Sequence, residues 1–241
     1  MQTLKTLLAL AFLLASLSVK AEAATPAKPT SHTIRQMEGW TVRVDDRLLS
    51  GPDKELSEHT LRILSNRLYD IQFILPADKI ARLQKVTIQI DRTHGKLTSA
   101  QYHPSIDWLK ENGYSTNLAQ CVHIPDASDF SNLNHQRIQP WSVLHELAHA
   151  YHDQVLGFEN PEIMAAYQAF KDSGKYNSVL HINGRQARHY ALTDQKEFFA
   201  EMTEAFFGAN DFFPFNRAEL QHEEPALFAL LTKVWMSSAK P

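Results

Sequence analysis

The residues with the most chemistry to offer form one short run, His145-Glu146-Leu147-Ala148-His149. Four helical residues advance about 400° and about 6 Å, so on a helix both imidazoles leave the same face and can reach one ion. Glu146, turned by about 100° from His145, then stands beside that ion, where its carboxylate can take a proton from water. This pattern points to zinc hydrolysis, in which the metal lowers the pKa of a bound water to about 7. Val143, Leu144, Leu147 and Ala148 make the segment largely apolar. Two histidines on such a helix need a partner, and one metal serves both. A helix with two surface histidines is the plainer alternative.

Catalytic zinc takes a third protein ligand and keeps one position open. His152 is nearest in sequence but lies one turn further along the same helix, too far up the axis to share a tetrahedral ion. A solvent-facing or supporting role is expected for it. The extended metzincin pattern is absent, because His152 stands where it demands Gly and Val155 where it demands His. Glu197 and Glu201, four apart among apolar and aromatic neighbours, are the better candidates, with Glu197 ahead. Carboxylates inside such a face need a cation or hydrogen-bond donors; the competing reading is a charged outer stripe.

Several elements must position these groups. Pro140 and Gly157 bracket a helix of about 17 residues around the motif. Asn160 and Pro161 open a second helix with Ile163, Met164, Tyr167 and Phe170 on one face. Asn183-Gly184 between alternating runs signals a hairpin. Thr193 or Asp194 caps a third helix from about Gln195 to Phe207, ended by Gly208. Upstream, Trp40, Val42 and Val44 alternate as a strand, and Leu56, Thr60, Leu61, Leu64, Leu68 and Ile71 recur as a helix. Val86, Ile88 and Ile90 predict a half-buried strand. A loop rich in His94, Gly95, His103 and Pro104 leads to a short strand over Gln120–Ile124. That last strand, just before the motif helix, is expected at a sheet edge where an extended peptide can pair, an interior place being the alternative. Aromatic residues in the stretch from Asn210 to Phe215 are expected to pack on the helices. The class is α+β, with strands in the N-terminal half and helices in the C-terminal half.

Composition is ordinary for a globular chain: 241 residues, 44% hydrophobic and 21% charged. The first 23 residues resemble an export signal, with Lys5, an apolar run from Leu7 to Val19 and the small-x-small site Ala21-Glu22-Ala23. The run is short of the about 20 residues that span a bilayer, so a soluble secreted or periplasmic protein with no membrane association is expected once the signal is removed. Residues 24–38 look like a flexible spacer, which leaves one domain over 39–241. A formal net charge of -3 with scattered Lys and Arg leaves no basic face to follow nucleic acid. Cys121, the lone cysteine, reads as a buried structural thiol.

Taken together, His-Glu-Leu-Ala-His and, some fifty residues on, Tyr190-Ala-Leu-Thr-Asp-Gln-Lys-Glu197-Phe-Phe-Ala-Glu201 resemble the gluzincin metallopeptidases of the anthrax lethal factor type, to which Pro-Pro endopeptidases are similar. The likeness covers residues 119–210 and is faint before Val86. It implies a zincin-like metallopeptidase domain with a small mixed N-terminal sheet. It also implies one zinc per chain on His145, His149 and Glu197, Glu146 as general base, Tyr190 as hydrogen-bond donor to the developing oxyanion, and Glu201 supporting the site. A peptide or protein is the implied substrate. Two rivals fit the same residues: a non-catalytic zinc or protein-binding module, and a metal-dependent amidase acting on other amides.

Overall fold

The computed structural model describes residues 25–237, so the export segment expected over 1–23 lies outside the described residues. The chain runs through β1 (His32–Met37), β2 (Trp40–Asp45), α1 (Lys54–Ile74), α2 (Ala77–Leu83), β3 (Ile88–Ile90), β4 (Gln101–Tyr102), α3 (Ile106–Glu111), β5 (Val122–Ile124), α4 (Ala127–Phe130), α5 (Leu133–Ile138) and α6 (Ser142–Tyr151). After these come α7 (Pro161–Asp172), β6 (Val179–Leu180), β7 (Gln186–Ala187), α8 (Gln195–Phe207), α9 (Arg217–Glu223) and α10 (Pro225–Met236). The fold is α+β, a small mixed sheet followed by a mostly helical remainder.

The sheet order is β1-β2-β3-β5-β4. Its three inner strands are parallel, and β1 and β4 run antiparallel to their neighbours. Two expectations are corrected here. The spacer expected over 24–38 is partly sheet, since β1 pairs with β2 from His32↔Asp45 to Met37↔Trp40. Glu38 and Gly39, at φ 48° and 84°, make the tight turn that joins them, a conformation suited to two-residue hairpins. The second correction concerns Gln120–Ile124, which is interior: β5 pairs with β3 on one side and β4 on the other. The edge belongs to β4, two residues long and too short to carry a periodic signal.

Buried positions of α1 fall at Ser57, Thr60, Leu64, Leu68 and Ile71, spaced three and four apart, which is one helical face turned to the core, where α1 meets α4 and α6. α8 differs, because every residue from Phe198 to Phe206 is buried. A helix apolar on nearly all sides belongs at the centre, and α6, α7, α9 and α10 all pack on it. Removing a core ring such as Phe199 would cost about 3–5 kcal/mol. Where α8 ends, the Trp141 indole lies against Gly208 so closely that a Cβ would collide with it. That approach fixes the start of α6 against the end of α8. Beyond Tyr151 the motif helix continues as one π-helical turn, His152–Leu156, and Gly157 at φ 79° ends it.

Candidate metal centre

Asp194 caps α8 by accepting the backbone N–H groups of Lys196 and Glu197, which sets Glu197 in the first turn, opposite the motif helix. There the structure brings three donor atoms together. His145 Nε2 lies 3.1 Å from His149 Nε2 and 3.1 Å from Glu197 Oε2, and His149 Nε2 lies 3.3 Å from the same oxygen. The two rings meet edge to face, with centroids 4.7 Å apart. This His145, His149 and Glu197 group could hold a metal ion.

The far nitrogen of His145 decides its tautomer. Nδ1 is 2.7 Å from Glu204 Oε1, so a metal-bearing His145 would keep its proton on that side and turn the Nε2 lone pair toward Glu197 and His149. Lone pairs and a carboxylate converging at this range need a cation or a proton among them. Burial opposes a charge on His145, but its hydrogen bonds to Glu197 and Glu204 lift its pKa well above the ordinary imidazole range. Burial would raise Glu197, yet its bonds to the two histidines hold it far below the usual carboxylate range. Both shifts have the same cause, the close approach of His145, His149 and Glu197.

Glu146 is buried beside this trio. Its Oε2 accepts the backbone N–H of Tyr102, on the outer side of β4, at 2.6 Å. Burial raises its pKa against the pull of His145 and His149, the direction that suits a proton acceptor working near neutral pH. These groups line a cleft of about 310 Å³ between β4 and α6, with His135, Gln139 and Tyr190 on its walls. Tyr190 is half exposed. Its neighbour His189 is fully buried, with Nδ1 accepting the Ala191 N–H, and burial pushes its pKa down to about 3.

Glu201 is buried behind His145, 3.7 Å from Nδ1. The short bond is made by Glu204, one turn further along α8, which sequence reasoning missed. Its spacing of seven from Glu197 was the available signal. Burial and the neighbouring Glu204 raise Glu201 well above its ordinary pKa, and burial raises Glu204 as well. Asp211, in a stretch expected only to pack, joins this acidic group, and burial raises it too. His152 does not face solvent. It is fully buried, with its ring centroid 5.2 Å from that of Phe158 and 4.9 Å from that of Phe199; neither ring nitrogen has a hydrogen-bond partner among the described residues, and burial pushes its pKa down to about 4. Cys121 is buried and free, and burial raises its thiol pKa, which keeps it unreactive.

A second constellation lies at the C-terminal end of β3. Sequence reading expected a half-buried strand there, yet Gln89 and Asp91 are buried along with Ile88 and Ile90. The polar side is covered by histidines: Asp91 Oδ2 is 2.6 Å from His94 Nδ1 and 2.7 Å from His123 Nε2, and Oδ1 is 2.7 Å from His32 Nε2. Burial would raise Asp91, but these bonds keep it ionised far below its ordinary pKa.

Comparison with protein-family models, with curated proteins and with solved structures finds no match for this chain.

Proposed function

We propose that this chain is a zinc-dependent endopeptidase with a zincin-like fold of the gluzincin type, secreted or periplasmic, in which His145, His149 and Glu197 hold one zinc. One observation carries the reading. Donors about 2.0–2.1 Å from a tetrahedral zinc are about 3.3 Å from one another, and the three separations here are 3.1, 3.1 and 3.3 Å. Glu204 supports it by fixing the His145 tautomer, as the far nitrogen of a metal-binding imidazole requires.

Zinc bound there would supply a water acidified to a pKa of about 7 and would polarise the scissile carbonyl. The chain's own groups do the rest. Glu146 takes the proton as the water oxygen bonds to the carbonyl carbon, then passes it to the leaving nitrogen as the C–N bond breaks. Held by the Tyr102 N–H through Oε2, it has Oε1 free of hydrogen-bond partners among the described residues. Tyr190, on the cleft wall, donates a hydrogen bond from its hydroxyl to the carbonyl oxygen as negative charge gathers there, a contribution of about 3–4 kcal/mol. An extended substrate would lie along β4, the sheet edge whose Gln101 and Tyr102 line the cleft, with the Tyr102 N–H already given to Glu146.

The test is a diverse peptide library offered to the purified zinc-loaded protein, to the same protein with chelator, and to Glu146→Gln. Cleavage confined to the first sample supports a metallopeptidase. No cleaved peptide in any sample contradicts it, and hydrolysis of small amides alone would make the protein an amidase.

A further inference from the structure

We propose that Asp91, His94 and His123 form a second zinc site of structural role, which His32 completes by moving from its hydrogen bond with Asp91 Oδ1 onto the ion. Three imidazoles and a carboxylate are a tetrahedral zinc donor set without an open position, the arrangement of structural and not catalytic sites. The donor atoms of Asp91, His94 and His123 all lie within 4.8 Å of one another and are buried. His94 and His123 meet edge to face, with centroids 4.7 Å apart at 79°. This nearly repeats His145 and His149, at 4.7 Å and 80°.

The surroundings are those that orient metal ligands. His123 Nδ1 lies 3.1 Å from His103 Nε2, which leaves Nε2 to face the centre, and the Gln89 amide donates to Asp91 Oδ2 at 3.0 Å. A cavity of about 250 Å³ lined by His32, His94 and Gln89, together with Lys28 and Arg43, adjoins the cluster. Without metal, Asp91 accepts hydrogen bonds from the histidines at 2.6–2.7 Å. With zinc in place of those protons, the donors withdraw to about 3.3 Å apart. The ligands come from the start of β1, the end of β3, the loop after it and β5, so the ion would fasten the edge strand across β2 to the middle of the sheet.

Zinc counting by plasma mass spectrometry on the full chain, loaded with zinc and freed of excess by gel filtration, tests this. Two ions are expected in the wild type, one in His149→Gln and one in His94→Gln. Gln at 94 preserves a hydrogen bond to Asp91 and removes a good ligand. Zero in His149→Gln, or two in His94→Gln, overturns the proposal. Should His94→Gln not fold, the His149→Gln count decides alone. One ion in the wild type that survives His149→Gln supports this site and contradicts zinc at His145 and His149.

Discussion

Glu204 Oε1 and His145 Nδ1 stand 2.7 Å apart, joined across α6 and α8, while the opposite nitrogen of the same ring faces Glu197 at 3.1 Å. One imidazole is thus held from behind and presented in front. Glu204→Gln removes the charge that makes Nε2 a better donor, so zinc affinity should fall 10–100-fold in a chelator competition. Glu201→Gln, 3.7 Å from the ring, should change it less. Equal losses in the two variants would remove Glu204 from its special place.

Tyr190→Phe keeps the ring and removes the hydroxyl. Zinc content and melting temperature should be unchanged, with kcat reduced about 100-fold or more and KM nearly constant. A Phe variant with wild-type kcat would reduce Tyr190 to a wall of the cleft. His189 is no substitute, since it is fully buried against the backbone.

Much of α8 was legible because local signals agree: the Asp194 cap, Gly208 at the end, and apolar residues between. The hairpin was legible too, with Asn183-Gly184 in the loop between β6 and β7. β1 was hidden because its residues are mostly exposed on both faces, leaving no alternation to read. Asp91 was invisible as a site, because a polar residue alternating with apolar ones reads as solvent-facing unless the distant His32, His94 and His123 are known to cover it. Glu204 drew no notice, because its part is set by His145 on another helix, 59 residues away in sequence. The placement of His152 depended on the π-helical turn, for which α-helical spacing gives no warning.

His152 also gives the protein a calculable acid sensitivity. Its pKa is about 4 when folded against about 6.5 for a free imidazole, so below pH 6.5 the unfolded chain binds a proton that the folded one refuses. Stability present at neutral pH is therefore lost as pH falls through this window. Relative to His152→Leu, the wild type should lose about 2 kcal/mol between pH 7 and pH 5, read from denaturant melts at both values. A stability gap independent of pH would mean that His152 is solvated or paired.

The most direct test of the central claim is anomalous diffraction at the zinc edge from crystals of the zinc-loaded protein. A peak is expected about 2.0–2.2 Å from His145 Nε2, His149 Nε2 and a Glu197 carboxylate oxygen. No peak there, or one displaced behind His145 to Glu201 and Glu204, would contradict it.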